Sequence, residues 1–178
     1  MGAEIGVWRG DFSAWLLRHA KPTRLHLIDP WEHRSEPGYE HAMFARNDES
    51  QMELIYRGVR ERFAREIARG QVVVHRAPSA MAVPVLPPLD WVYIDGDHTY
   101  EGVSADLRLC WARLPPNGRV AGDDYGVRGW WDDGVTKAVD EFAESVDCKK
   151  TIIGTQFLLR KASPRDQTGR RRKRRVRA

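Results

Sequence analysis

Two cysteines in 178 residues, Cys110 and Cys148, are too few and too far apart for a disulfide framework or a metal knuckle. Both are expected as reduced core thiols. No apolar run approaches the roughly 20 residues that span a bilayer, and the first residues lack the pattern of a secretory signal. A membrane partner is therefore not expected, and a cytoplasmic location fits best. Acidic residues are scarce at the C-terminus. From Pro164 to Ala178 there are eight Lys or Arg against one Asp, a local charge of +7 in a chain whose formal charge is +4, so residues 1–163 carry −3. The folded part is mildly acidic, and the basicity belongs to "GRRRKRRVRA". Such a run is expected as a disordered, solvated tail. No aromatics interleave with its arginines, so nucleic acid is an expected partner only nonspecifically, through phosphate neutralisation.

What remains, residues 1–163, suits one domain with a substantial core. Short apolar strands alternate with amphipathic helices. "AEIGV", "RLHLID", "QVVVHRA", "DWVYID" and "RVAG" read as five strands. Helical spacing joins Phe12, Trp15, Leu16 and His19; Met52, Ile55, Val59, Phe63 and Ile67 between Ser50 and Arg69; and Val103, Leu107, Trp111 and Leu114. Asp132 and Asp133 are placed to cap a further helix with the face Val135, Val139, Phe142 and Val146. "VPVLPPL" reads as a proline-rich connection, and "KKTII" with "TQFLLRK" as a closing antiparallel pair. His19, His26 and His75 fall within these patterns and are expected as packing residues. The alternation predicts an α/β fold with a doubly wound, Rossmann-like sheet, mostly parallel with an antiparallel C-terminal strand. Such sheets bind ligands outside the carboxyl ends of their strands.

Those strand ends are where the polar groups lie. Glu4, Gly6 and Gly10 surround the first strand-to-helix turn; Asp29 ends strand two, nineteen residues beyond Gly10; Ser79 follows strand three. Glycines let backbone approach a ligand, and an acidic residue at the second strand end can hold both hydroxyls of a ribose. The dinucleotide fingerprint needs a middle glycine to admit a pyrophosphate, and Trp8 fills that place. A nucleoside cofactor without phosphates fits better than NAD. After strand four, "WVYIDGDHTYEGV" ends an apolar run on Asp95, Gly96, Asp97 and His98, and Asp123 with Asp124 follow strand five. Ionisable groups at a buried strand end cost stability unless they are paired, hydrated or bound. As clustered carboxylates Asp123 and Asp124 are either hard oxygen donors or residues that only cap or hydrate a strand end. His98 is either a general base or an orienter of Asp95. Asp97 and Thr99 are alternative caps for the next helix. Trp130 and Trp131 are either core or acceptor pocket, and His33, Tyr39 and His41 lie in a connection long enough to form a lid.

"EIGVWRGDFS", "LIDPW", "YIDGDHTYEGVSADL", "LPPNGRVAGDDY" and "GVTKAVDEF" together resemble the class I S-adenosylmethionine-dependent methyltransferases over residues 3 to about 160. The likeness is nearest to bacterial small-molecule and sugar O-methyltransferases that carry Asp-Gly-Asp-His after strand four. It implies that Glu4, Gly6 and Gly10 flank the methionine part of S-adenosylmethionine, that Asp29 holds the ribose, and that Ser79 lies beside the adenine. A more distant likeness to catechol and caffeoyl-CoA type O-methyltransferases implies a divalent cation such as Mg²⁺ at Asp95, Asp123 and Asp124. In those enzymes a lysine acts as base where His98 stands. Relatives have residues before the first strand, often helices covering the cofactor, and beside them this N-terminus looks truncated. Either the recorded start is late or the cofactor is unusually exposed.

The expected function is thus methylation of a hydroxyl on a small-molecule or sugar acceptor, with a homodimer left open. Two other classes stand beside it. One is another nucleotide-cofactor enzyme of Rossmann-like fold, and the other is a non-catalytic binding protein that uses its tail on nucleic acid.

Overall fold

The computed structural model describes residues 1–163, so the expectation for the basic tail lies outside the described residues. The strands are β1 (Gly2–Ile5), β2 (Leu25–Asp29), β3 (Val72–Arg76), β4 (Trp91–Ile94), β5 (Arg119–Gly122), β6 (Cys148–Ile153) and β7 (Gln156–Lys161). The helices are α1 (Asp11–His19), α2 (Glu49–Arg62), α3 (Ala64–Ala68), α4 (Ser79–Ala82), α5 (Tyr100–Arg113) and α6 (Gly134–Ser145). All seven strands form one sheet in the order β3-β2-β1-β4-β5-β7-β6. The first five are parallel, β7 runs antiparallel to β5, and β6 pairs antiparallel with β7. The doubly wound expectation holds. The chain winds one way from β1 to β3 and the other way from β4, so the crevice between β1 and β4 is the topological switch point.

Short strands suffice because both faces of the sheet are covered. All four residues of β1 are buried. Along β2 the pleat sends Leu25 and Leu27 toward Leu16, Met52, Val59 and Phe63, and Ile28 toward Val83, Leu86, Leu89 and Val103. These are the two cores. His26 follows the second direction and its Nδ1 lies 2.9 Å from His75 Nε2. Neither cysteine is in a disulfide, and no helix among the described residues is long and apolar enough to cross a membrane.

Four local expectations are corrected. The helix expected across Ser50–Arg69 breaks at Phe63, whose backbone leaves the helical region while its ring turns in beside Gly10. The proline-rich connection, residues 83–89, is not all irregular: directly after the short helix α4 it opens with a single 3-10 turn at Val83–Val85. Proline is tolerated there because the first turn of a helix needs no backbone donor. Asp133 stands at the N-cap of α6 but its side chain makes no cap bond, and Asp132 has φ +53°. Backbone closes that turn instead, with Gly134 N donating to Trp131 O at 3.0 Å. His19 is exposed, stacked on Trp15 with centroids 4.4 Å apart, and is not a core residue.

Candidate functional site

A cavity of about 720 Å³ opens along the carboxyl ends of β1, β2, β4 and β5. That lies within the range of small-molecule sites. Glu4, Gly6, Asp29, Ser79, Asp95, His98, Asp123 and Asp124 all line it, whereas Gly10 does not.

The first half of the cavity is held by backbone. Asp29 Oδ2 accepts from Val7 N at 3.0 Å and Trp8 N at 2.9 Å, and Oδ1 accepts from Trp31 N at 2.8 Å. The carboxylate that ends β2 therefore organises the turn after β1. Burial raises its pKa, and the three N–H donors pull it back. Trp8, with φ +52°, also receives the Trp31 indole N–H on its carbonyl at 2.9 Å. The place where a pyrophosphate would pass is thus closed. Gly6 and Gly10 serve packing. A Cβ on Gly6 would stand 2.0 Å from Asp95 O, so glycine there lets the ends of β1 and β4 meet; one on Gly10 would strike the Phe63 ring at 2.7 Å. Glu4, 1% exposed, accepts a short hydrogen bond from Ser13 Oγ. Burial, and to a lesser degree the charges of Asp95 and Asp29, push its carboxyl up to about 8 against the Ser13 bond. Ser79 Oγ donates to Asp106 Oδ1 in the same cavity.

The second half gathers charge. His98 Nε2 lies 2.7 Å from Asp124 Oδ2 and 3.4 Å from Asp95 Oδ1. One donor atom each from Asp95, His98 and Asp124 falls within 4.8 Å of the others, a spacing that suits one metal ion. Asp123, expected as a third carboxylate ligand, is not in that group. Its Oδ1 accepts from Asp124 N at 2.9 Å and Thr155 Oγ1 at 2.7 Å, so it shapes the loop that presents Asp124. Burial tends to lower the His98 pKa, but the hydrogen bond to Asp95 and the charges of Asp95, Asp124 and Asp97 outweigh it, and the net shift is upward from 6.5. Asp124 (φ +60°) is raised by burial, with His98 pulling it down and Asp95 pushing it up. Thr99 is the cap of α5, accepting from Gly102 N at 3.1 Å. Asp97 fixes the turn before it, accepting from Thr99 N at 2.9 Å.

Aromatic side chains from two loops roof this half. Trp131 stacks on His98 with centroids 4.5 Å apart. Trp130 meets Tyr39 at 5.2 Å and Phe44 at 6.4 Å, from the connection between β2 and α2. Tyr39 OH donates to Asp97 Oδ2 at 2.7 Å, tying that connection to the end of β4. Arg34 adds a guanidinium 4.5 Å from the Tyr39 ring. Sequence reasoning passed over Thr155, Arg34, Phe44 and Asp106. Asp106 alone left a signal, as a charged residue inside the Val103–Leu107–Cys110 stripe of α5; a hairpin-tip threonine leaves none.

A doubly wound sheet with a cavity at its switch point is the architecture in which α/β proteins bind nucleotides and related ligands. Residues 3–125 match the family described as "Methyltransferase domain", so the chain belongs to that family, within the class I S-adenosylmethionine-dependent methyltransferases. Solved structures agree on the fold. The O-methyltransferase NovP superposes with a TM-score of 0.67 at 21% identity, covering 90% of this chain and 71% of its own. The O-methyltransferase TomG from Streptomyces achromogenes, in complex with S-adenosylmethionine, gives 0.63 at 18% identity, over 91% and 73%. An O-methyltransferase from Bacillus cereus with S-adenosylhomocysteine gives 0.63 at 15% identity, over 90% and 73%. No curated protein sequence matches the chain.

Proposed function

We propose that the protein transfers the methyl group of S-adenosylmethionine to a hydroxyl of a small-molecule or sugar acceptor, assisted by a divalent cation. One observation carries the reading: a single cavity joins the groups suited to a nucleoside to an imidazole set between two carboxylates. Two of the neighbours named above, TomG and the Bacillus cereus O-methyltransferase, are in complex with this cofactor or its product and support the choice of cofactor and of an oxygen acceptor.

The cofactor side fits the group it would hold. Asp29 has three of its carboxylate's roughly four acceptor positions filled by backbone, so it offers the ribose one strong, rigid acceptor. Glu4 at the floor is shifted toward the neutral acid, which keeps the crevice from accumulating charge. S-adenosylmethionine supplies the electrophilic methyl when bound. On the acceptor side, the carboxylates of Asp95 and Asp124 are hard oxygen donors that suit magnesium or manganese. Asp95 and Asp124 would hold the ion, with Asp123 and Thr155 fixing the loop behind them. Such an ion would lower the pKa of the acceptor hydroxyl. His98, fixed in orientation by the Trp131 ring and by its carboxylate neighbours, takes the hydroxyl proton at Nε2. Trp130, Trp131 and Phe44 exclude water and position the acceptor.

A thermal-shift panel separates the rival classes. S-adenosylhomocysteine raises the melting temperature, and NAD and nucleotide sugars do not; stabilisation by NAD alone would overturn the reading. With an acceptor in hand, EDTA removes most turnover while S-adenosylhomocysteine still binds, and magnesium restores it. Full activity in EDTA would remove the cation from the site.

A further inference from the structure

Helix α5 carries a carboxyl group that the proposed chemistry leaves idle. Val103, Leu107, Cys110 and Leu114 make its buried face, and Asp106 sits inside that stripe at 5% exposure. A carboxylate there costs stability unless donors surround it. Ser79 Oγ, from the first residue of α4, donates to its Oδ1. Burial pushes the carboxyl up to about 6, the Ser79 bond pulls it back, and the charge of Asp97 pushes it up again. One hydroxyl does not saturate a carboxylate, which accepts as many as about four hydrogen bonds.

Asp106 lines the crevice together with Gly102 and Ala105. The three are spaced i, i+3 and i+4, so they share one face of the helix. Ala105 contributes only a methyl group, and the Asp97 side chain stands 2.6 Å from where a Cβ on Gly102 would be, so the space for a planar ring beside α5 lies over Ala105, with Asp106 and Ser79 at its edge.

We propose that Asp106, held by Ser79, selects adenine: its carboxylate accepts from the exocyclic N6 amine of the cofactor's base, which lies against Ala105. This rests on the cofactor reading above, in which the ribose sits at Asp29 and the base points toward Ser79. Replacing the amine by a carbonyl would set two acceptors against each other in a buried place, and such mismatches are the ones a polar site rejects most strongly. Asp106 touches the base and not the reacting atoms, so it governs which nucleoside binds and not how fast the methyl moves.

Calorimetry of the full chain with S-adenosylhomocysteine and its deaminated analogue S-inosylhomocysteine tests this. The wild type binds the adenosyl compound at least about tenfold more tightly. Asp106→Asn, whose amide offers a donor to the O6 carbonyl, brings the ratio below about threefold, and Ser79→Ala narrows it part of the way. Melting curves check that each variant folds; if Asp106→Asn does not, the wild-type ratio and Ser79→Ala decide. Equal wild-type affinities for the two compounds would overturn the inference without any variant. So would an equal loss of both affinities in folded Asp106→Asn, which would make the pair a brace between α4 and α5. Failure of the wild type to bind S-adenosylhomocysteine at all would overturn the cofactor reading, and the inference would fall with it.

Discussion

The two halves of the crevice are built by different means. On the cofactor side a strand-end carboxylate, Asp29, is clamped by the backbone of Val7, Trp8 and Trp31. On the acceptor side, loops bring Trp130, Trp131, Phe44 and Tyr39 together through side chains alone. Backbone fixed by the sheet suits a ligand that never changes. Side-chain packing between loops suits one that differs among relatives. The comparison implies that damage to one half spares the other, and each prediction below is a way to break that separation.

The largest effect belongs to His98. With an acceptor in hand, His98→Ala lowers kcat by about 10²- to 10⁴-fold, the usual loss for a general base, while S-adenosylhomocysteine affinity in calorimetry stays within about twofold. A parallel fall in both would join the halves. Next comes Asp29→Ala, which weakens S-adenosylhomocysteine by about 1–3 kcal/mol. It also lowers the melting temperature, because three backbone donors lose their partner. Asp29→Asn keeps one acceptor oxygen and falls between. An unchanged melting temperature would show that the clamp is not what shapes the turn.

Two histidines, one in the crevice and one in the sheet away from it, titrate with opposite sign. The His98 pKa is raised, so its ion pair stabilises the fold below 6.5 and that contribution is lost as pH rises through the folded value. Loss of the same proton frees the base, so kcat/KM climbs over the pH range where stability declines. His26, beside His75 under β2 and β3, is lowered from 6.5 to about 4, by burial first and then by the charges of His75, Arg24 and the N-terminus. Stability therefore falls as pH drops from about 6.5 to about 4, by at most about 1.4 kcal/mol per pH unit. Urea titrations of the wild type and His26→Gln across that range check it; identical slopes would contradict it. The smallest effect belongs to the latch. Tyr39→Phe removes the bond to Asp97, raises the acceptor KM severalfold, an effect of about 1 kcal/mol, and leaves cofactor affinity alone.

Sequence reasoning reached the strand ends of the crevice better than its loops, for a physical reason. Strand ends follow from hydrophobic period, so Glu4, Asp29, Ser79, Asp95 and Asp124 could be assigned to one crevice in advance. The Tyr39–Asp97 bond spans 58 residues of chain, and the aromatic roof joins Tyr39 and Phe44 to the still more distant Trp130, which no local pattern encodes. Gly6 and Gly10 were read as making room for a ligand, and the structure uses both to admit protein, namely the Asp95 carbonyl and the Phe63 ring. The triplet Asp95, Asp123 and Asp124 comes from the likeness to the catechol and caffeoyl-CoA type enzymes. Geometry takes Asp123 out of it, because Asp124 N and the Thr155 hydroxyl of the closing hairpin claim Asp123 Oδ1, and leaves His98 beside Asp95 and Asp124.

The most direct test of the divided crevice is a crystal structure of the full chain with S-adenosylhomocysteine and manganese. The account predicts the ribose at Asp29, the base between α5 and Ser79, the homocysteine along Glu4 and Gly6, and an anomalous peak between Asp95 and Asp124 on the far side of the sulfur. A nucleoside bound under the Trp130–Trp131 roof, or manganese away from Asp95 and Asp124, would contradict it.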